Sequence, residues 1–268
     1  AGGYNKALKQ VDSEYYILLN SDVEVTENWL APMLKMLDND KNIVACQPKI
    51  KDYNNKESFE YAGASGGFID KYGYPFCRGR IFDYLEKDTN QYDEPIEIFW
   101  ASGAALFIRA QEYNQIGGLD EFYFAPMEEI DLCWRLKNEG HKIMVCPSST
   151  VYHVGGGTLN KINPRKTFLN FRNSLLTLYK NLPKNERFVK IFIRLNLDAI
   201  AGLKFLLDGK PTHALAIIRS HFAFYSAIFQ NKIKRTDVVN PNLNGMINIS
   251  IVKKHFINKS KTFNELLK

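Results

Sequence analysis

The sequence has no uninterrupted run of about 18 apolar residues, the length that a membrane-spanning helix ordinarily needs. It has only four cysteines in 268 residues, and none of them forms a C-x-x-C pair. Structural zinc is therefore not expected, and a reduced, cytosolic setting is favoured. No secretory signal segment is visible. We expect a cytosolic protein with no membrane-spanning helix.

Acidic residues are scarce in the rear of the chain. Residues 161–268 hold 20 Lys/Arg and only 5 Asp/Glu, whereas residues 1–160 hold 15 and 24. The rear therefore carries +15 and the front −9, which together give the net charge of +6. This division predicts two functional regions, of which the basic one meets an anionic partner. Hydrophobic residues make up 45% of the sequence, enough for a buried core.

Strand and helix patterns alternate in the front of the chain. The short apolar run Tyr15–Leu19 is typical of a buried strand, and Thr26 is predicted to cap the helix that follows. Residues 51–95 are predicted to form a long loop region with short strands. Further strands are predicted at residues 43–50, 96–108 and 142–146, and a helix at 128–138. The alternation indicates an α/β layered domain.

The pattern changes beyond Pro164 to long helical segments that mix apolar and basic residues. They are predicted at residues 165–182, 185–208 and 211–233. We divide the chain into a catalytic domain at 1–163, an amphipathic basic helical region at 164–235 and a polar tail at 236–268. Such a helical region could lie on anionic lipid, or it could pack on the catalytic domain with its charges in water.

A carboxylate follows the first predicted strand, at the end of the sheet where α/β domains bind ligands. Asp22, with Asn20 and Glu24 close by, could hold Mg²⁺ or Mn²⁺ through oxygen, and the ion would bridge to phosphate oxygens. Asn and Asp are also common in ordinary turns between a strand and a helix. From these residues alone both interpretations stay open.

Three carboxylates, Glu128, Glu129 and Asp131, open the predicted helix at 128–138. Acidic residues in a first turn can simply complement the helix dipole, and Asp131 can pair with Arg135 at i,i+4. The cluster follows an apolar, aromatic stretch, where the pKa of a carboxyl group can rise toward neutrality as a general base requires. His153, after a predicted strand and beside three glycines, could be a metal ligand or an ordinary core histidine.

The order of these motifs resembles an inverting glycosyltransferase of family 2, in the bacterial rhamnosyltransferase-like branch. The matching residues lie within about residues 1–180 and are Gly2-Gly3-Tyr4-Asn5-x-Ala7-Leu8, YYILLNSDVEV, ASGAALFIRA, GGLDE, MEEIDLCWRLKNEGHKI and VYHVGGGT. The resemblance implies the GT-A fold, a Rossmann-like nucleotide-diphospho-sugar transferase fold with a mixed sheet flanked by helices. The basic helices form a C-terminal appendage.

The resemblance also implies roles for single residues. Glu129 is the expected catalytic base, with Glu128 as the alternative and Asp131 beside them. Asp22 and His153 are the expected ligands of Mg²⁺ or Mn²⁺, although Asn20 stands where some members have an aspartate. Nucleotide binding is expected at Gly3, Asn5, Asn20 and Asp22, and substrate binding at Trp100, Gly103, Ala104 and Arg135.

The implied activity moves a sugar, with inversion, from a nucleoside-diphosphate sugar to a glycan or lipid-linked acceptor in cell-envelope polysaccharide synthesis. Residues 165–235 could make a peripheral contact with the inner face of the cytoplasmic membrane, and nucleic-acid binding is not expected. Members of the family normally begin about 70–90 residues earlier, so we expect an N-terminally truncated member. The alternative is a catalytically inactive relative that binds glycans or membranes.

Overall fold

The computed structural model describes residues 1–155 and 163–268. The front of the chain contains the following helices and strands in order: α1 Gly2–Leu8, β1 Tyr15–Leu19, β2 Val23–Val25, α2 Leu30–Asn39, β3 Ile43–Asp52, β4 Gly67–Asp70, β5 Pro75–Cys77, β6 Arg80–Ile81, β7 Tyr84–Leu85, β8 Ile96–Glu97, β9 Ala105–Arg109, α3 Ala110–Gln115, α4 Glu128–Asn138 and β10 Lys142–His153. The rear contains α5 Pro164–Asn181, α6 Lys184–Leu207, α7 Pro211–Phe229, β11 Met246–Ile247 and α8 Phe263–Leu266.

The main sheet has six strands in the order β1-β9-β3-β10-β2, with β8 paired to the edge of β10. Strands β3 and β10 run parallel, and the other pairs are antiparallel. Residues 43–50 of β3 are buried on both faces, which fits the apolar start of that strand, Ile43 to Cys46. The expected α/β class, with a mixed sheet flanked by helices, is confirmed.

Helices cover both faces of this sheet. Met33 and Leu37 of α2 pack with Cys46 and Phe107 on one face. Because side chains alternate along a strand, the neighbours of Cys46 and Phe107 point to the opposite face, where α4 packs. The largest fully buried side chain is Trp134 of α4. The sheet therefore fixes α4, and with it the glutamates at the start of α4, relative to the ends of β1 and β10.

Several predicted boundaries differ from the observed ones. The strand expected at 96–108 is two strands, β8 and β9, because the backbone leaves the sheet between them and the Ser102 amide donates to Gln47 Oε1 (2.9 Å). Thr26 does not cap α2, which begins after Trp29. The Thr26 hydroxyl instead donates to the Thr150 carbonyl (2.7 Å). The strand expected at 142–146 continues through a bulge to His153.

The region 51–95 forms a second, smaller sheet with the strand order β11-β4-β5-β6-β7. One edge strand, β11, comes from the segment that we predicted as a polar tail, and it runs parallel to β4. Ile251, Phe263 and Leu266 from the same segment are buried against this sheet. Residues 236–268 are thus polar on average, but a few of their apolar residues belong to the core.

The three long helices of the rear pack against one another, and α5 also packs on α4. They coincide with the predicted helical segments to within a few residues. Over the ranges 1–155 and 163–268, none of the helices combines the length and apolar character needed to cross a bilayer.

Candidate active site

A cavity of about 170 Å³ lies where the ends of β1 and β10 meet the start of α4. Its lining brings together side chains from distant parts of the sequence: Ala1, Tyr4, Leu18, Asn20, Ala62, Ser102, Gly103, Ala104, Leu119, Glu128, Glu129 and His153. Complete ligand pockets usually measure about 300–1,000 Å³. This cavity is therefore large enough for the reacting groups of a substrate but not for a whole nucleotide sugar.

The two glutamates stand at the start of α4, after an unusual stretch of backbone. Phe124 and Met127 have φ values of 66° and 88°, in the left-handed region that residues with a side chain rarely adopt. Burial raises the pKa of Glu128 and also that of Glu129, to about 8, with the neighbouring charge of Glu128 adding to the effect at Glu129. A carboxyl group of this kind is poised to accept a proton near neutral pH.

The backbone opposite Glu129 is built of small residues. A Cβ atom added to Gly103 would come within 3.7 Å of the Glu129 Cβ, so Gly103 faces the carboxylate directly. Ala104 follows it, and its carbonyl accepts a hydrogen bond from the Asn20 amide (3.0 Å). Gly103 and Ala104 both line the cavity beside Glu129, and their role in substrate binding stays a prediction.

His153 lies between two carboxylates. Its Nε2 is 3.2 Å from Asp22 Oδ1, and its Nδ1 is 3.4 Å from Glu60 Oε1. Although burial opposes the charged imidazolium, the two carboxylates outweigh it together and raise the pKa of His153. Within the described ranges, the buried Nδ1 has no hydrogen-bond partner of good geometry, so a small shift of either ring or carboxylate would complete the Glu60 contact.

Asp22 and His153 fit a divalent ion in part. A carboxylate oxygen and an imidazole nitrogen are suitable ligands for Mn²⁺, and hard ions such as Mg²⁺ commonly complete their coordination with substrate phosphates and water. Among the residues that the structure describes, no three His, Cys, Asp or Glu side chains are grouped as a ready-made metal site. A metal here would therefore need oxygen ligands beyond these side chains. Gly156 and Gly157 lie outside the described residues.

Asp131 and Arg135 lie behind the cavity and not in it. The Asp131 carboxylate is fully buried and accepts hydrogen bonds from Arg135 Nε, Lys180 Nζ and Asn181 Nδ2, each at 2.9 Å. These contacts, Arg135 first, lower the Asp131 pKa despite its burial. Arg135 also donates to the carbonyls of Ile116 and Gly118. These contacts tie α4 to its neighbours, and the catalytic role of Asp131 and the substrate-binding role of Arg135 stay predictions.

Three further predicted binding residues also lie outside the cavity. Trp100 is buried and its indole N–H donates to the Phe68 carbonyl (2.9 Å), so it belongs to the core. The Asn5 side chain bonds to Leu119, and Gly3 has open space around its Cα hydrogen. Asn5 and Arg135 instead line a separate cleft of about 820 Å³ that does not contain Glu128 or Glu129.

Two parts of the site were missed by sequence reasoning. Glu60 precedes His153 by 93 residues in a loop without a motif, so no local signal marks it. Asn173 of α5 donates to the carbonyls of Tyr123 and Pro126 (3.0 and 2.7 Å), and Arg172 donates to those of Phe122 and Tyr123. Helix α5 therefore holds the strained backbone that leads into Glu128.

Comparison with known proteins finds a family match in the front of the chain. Residues 1–109 match the family model described as Glycosyl transferase family 2. The chain is 21% identical over 145 residues to Rhamnosyltransferase WbbL of Escherichia coli K12, covering 54% of each protein. It is 42% identical over 62 residues to the N-acetylglucosaminyl-diphospho-decaprenol L-rhamnosyltransferase of Mycobacterium tuberculosis, covering 22% of this chain and 20% of that protein.

The chain thus spans about half the length of the first relative and a fifth of the second. Among solved structures, GalNAc-T7 with UDP, GalNAc and Mn²⁺ is similar at 16% identity and a TM-score of 0.48, covering 67% of this chain and 34% of that one. The sequence matches and the site motifs agree in the front of the chain. Residues 1–109 thus match glycosyltransferase family 2, and the front of the chain is similar to bacterial rhamnosyltransferases.

Proposed function

We propose that this chain carries the catalytic centre of an inverting glycosyltransferase that uses a nucleoside-diphosphate sugar. The observation that carries the proposal is the cavity shared by Glu129, whose pKa is raised to about 8, and by His153, which contacts Asp22. This arrangement supports Glu129 as the base and His153, with Asp22 beside it, as ligands of a diphosphate-bound ion. The family match supports a transferase, and the residues named here supply the chemistry.

The proposed reaction is a single displacement. Glu129 accepts the proton of an acceptor hydroxyl as that oxygen bonds to the anomeric carbon, and the bond from that carbon to the diphosphate oxygen breaks. Burial, and after it the charge of the adjacent Glu128, raise the pKa of Glu129. A bound Mg²⁺ or Mn²⁺, held by Asp22 and His153, would neutralise charge on the leaving diphosphate.

We propose further that the acceptor is a glycan or a lipid-linked glycan of cell-envelope polysaccharide synthesis. The resemblance to rhamnosyltransferases supports this substrate class, as one relative is named for a decaprenol-linked acceptor. Residues 165–235 would then bring the chain to the inner face of the cytoplasmic membrane, and their excess of Lys and Arg supports that contact. Residues 1–163 would carry the chemistry.

The test is release of nucleoside diphosphate from a panel of UDP-, dTDP- and GDP-sugars, with Mn²⁺ or Mg²⁺ and a glycan acceptor extract. We expect release with at least one donor, its loss in EDTA and its loss in Asp22→Ala. The exposed Asp83→Ala variant is the matched control and should keep wild-type release. Absence of release from every donor would favour a binding protein without catalysis.

A further inference from the structure

Helices α6 and α7 each expose an apolar stripe, which Asn196 interrupts on α6. On α6 it comprises Phe188, Val189, Phe192, Ile200, Leu203, Leu206 and Leu207, and on α7 it comprises Leu215, Ile218, Phe222, Tyr225 and Phe229. These residues, here called the α6–α7 face, are 43–83% exposed. They are twelve of the 26 large exposed hydrophobic residues in the described chain, and they recur at helical spacing.

The two stripes meet on one side of the helix pair. Phe188 and Phe192 of α6 and Tyr225 of α7 line the same apolar groove, which has a volume of about 300 Å³. A groove shared by both helices requires their exposed residues at that end to face the same direction. The α6–α7 face is therefore one surface and not two unrelated patches.

This surface is not needed to hold the helices in place. Opposite sides of the helices do that: Ile217 and Phe224 of α7 are buried, and Arg194 of α6 pairs with the buried Asp198 and lies over the Tyr74 ring (3.6 Å to its centre). Proteins that stay in water rarely expose so large a contiguous apolar surface without a binding purpose. The size of the α6–α7 face therefore indicates that it binds an apolar partner.

The charges around the face select the chemistry of that partner. Residues 184–235 contain ten Lys/Arg and three Asp/Glu, and one of the acids is the buried, paired Asp198. Lys184 and Arg187 line the groove itself. The Arg187 Nε is buried and lacks a hydrogen-bond acceptor among the residues described. A ligand with an apolar chain beside an anionic group would pack in the groove and pair with its cations.

We propose that the α6–α7 face docks on a bilayer that contains anionic lipid, with both helices lying in the plane of the interface. The apolar stripes enter the boundary between head groups and acyl chains, and lipid phosphates pair with Lys184 and Arg187. This deepens the membrane contact proposed above and rests on it, since it assigns the contact to α6 and α7. Helix α5 adds only Tyr179 to the lining of the groove, because the helix is packed between α4 and α7.

Co-sedimentation of the full chain with vesicles tests the assignment. We expect binding to phosphatidylcholine vesicles that contain phosphatidylglycerol, weaker binding as salt rises, and little binding to phosphatidylcholine alone. The double variants Phe188→Ser/Phe192→Ser on α6 and Phe222→Ser/Phe229→Ser on α7 should each weaken binding about tenfold or more. Val239→Ser/Ile257→Ser, at residues 78% and 70% exposed elsewhere, is the matched control and should bind normally.

A second pair of variants isolates the charges. Lys184→Gln/Arg187→Gln should weaken binding to anionic vesicles and flatten the salt dependence, whereas the exposed pair Lys35→Gln/Lys41→Gln should not. Binding equal to that of their controls in the Phe188/Phe192, Phe222/Phe229 and Lys184/Arg187 variants would overturn the proposal. So would a stable dimer by light scattering that the phenylalanine variants dissociate, because the face would then be a protein interface.

The outcome is independent of catalysis. Release of nucleoside diphosphate, measured without vesicles, should be unchanged in the α6 and α7 variants. Vesicle binding without release would defeat the proposed enzyme and keep the membrane contact. Release without vesicle binding would keep the proposed enzyme and defeat the membrane contact.

Discussion

Glu129 differs from an ordinary surface glutamate because burial and the neighbouring Glu128 both raise its pKa, to about 8. We expect Glu129→Gln to keep binding of the nucleotide sugar, since the amide has the same size, and to lower turnover by a factor of about 10²–10⁴. Isothermal titration with the donor and steady-state kinetics measure the two effects. Glu128→Gln tests the alternative base and should keep more turnover than Glu129→Gln. Unchanged turnover in Glu129→Gln would remove it as the base.

The same raised pKa predicts a pH dependence. Glu129 must be deprotonated to act as a base, so kcat/KM should rise with pH and level off above about 8. Removing Glu128's charge in Glu128→Gln should shift this rise to lower pH, because that charge contributes to the raised Glu129 pKa. A kcat/KM that stays constant between about pH 6 and 9 would contradict the assignment, because a group with this pKa changes its charge within that range.

Stability should follow pH in the opposite direction. A pKa raised above the ordinary value of 4.5 means that the folded protein holds this proton more tightly than the unfolded chain does. The resulting stabilisation is complete below the ordinary value and is lost as pH rises through about 8. Urea unfolding at several pH values should therefore show Glu129→Gln becoming more stable relative to the wild type as pH rises. A constant difference would argue against the raised pKa.

Glu60 lies on the far side of His153 from Asp22 and can orient the ring so that Nε2 faces Asp22. Outer carboxylates of this kind commonly change metal affinity by about 10–100-fold when they are removed. We expect Glu60→Gln to weaken Mn²⁺ binding to that extent in a titration followed by electron paramagnetic resonance. Glu57→Gln, at an exposed glutamate on the same loop, should bind Mn²⁺ as the wild type does. If Glu60→Gln bound Mn²⁺ as tightly as the wild type does, Glu60 would have no role in metal binding.

Some residues near the cavity could be predicted from the sequence and others could not. Asp22, Glu128, Glu129 and His153 stand next to predicted strand and helix ends, where a short motif is visible. Glu60 and Asn173 contact the site from loops and helices far away in the chain, and no spacing rule connects them to it. Asp131 carries the same motif signal as the glutamates, yet the helix turns it away from the cavity into a buried network.

At the scale of elements, the site depends on a helix that we had placed in a separate region. Asn173 of α5 is fully buried and donates to the carbonyls of Tyr123 and Pro126, so α5 fixes the backbone before Glu128. We expect Asn173→Ala to lower the free energy of unfolding by about 1–3 kcal/mol, because it removes two buried hydrogen bonds and takes from the Pro126 carbonyl its Asn173 donor. Urea unfolding measures this change.

The same substitution should lower turnover, because the glutamates would lose their fixed position. Asn196→Ala is the matched control: Asn196 lies on α6, is exposed and bonds only to the Phe192 carbonyl of its own helix among the contacts described. Stability lost without any change in turnover would show that α5 supports the fold but not the site.

Element prediction succeeded where periodicity and caps agree. Strand Tyr15–Leu19 and helix Glu128–Asn138 have the expected bounds, because each is a compact apolar or amphipathic pattern with a clear stop. The run 96–108 failed because an apolar sequence does not reveal where the backbone leaves the sheet. That point is set by the Ser102 amide, which bonds to Gln47 from a strand far upstream.

At the scale of the whole molecule, the second sheet is completed from the far end of the chain. The Ile251 amide donates to Asp70 Oδ2, and the Phe263 amide donates to Glu86 Oε1, both at 3.0 Å. These contacts join residues separated by 181 and 177 positions. A polar composition gave no sign of them, since only a few apolar residues in the last 30 make the contacts.

Phe263 packs the C-terminal segment against the second sheet. Its ring lies 4.8 Å from that of Phe68 and 6.2 Å from that of Phe76, and the side chain is 6% exposed. We expect Phe263→Ala to lower the free energy of unfolding by about 3–5 kcal/mol, because it leaves a cavity between the sheet and the last helix. Leu267→Ala, four residues on and 56% exposed, should change it by less than about 1 kcal/mol. If the two variants unfolded alike in urea, the C-terminal segment would rest on the sheet without stabilising it, and the fold would depend on the main sheet alone.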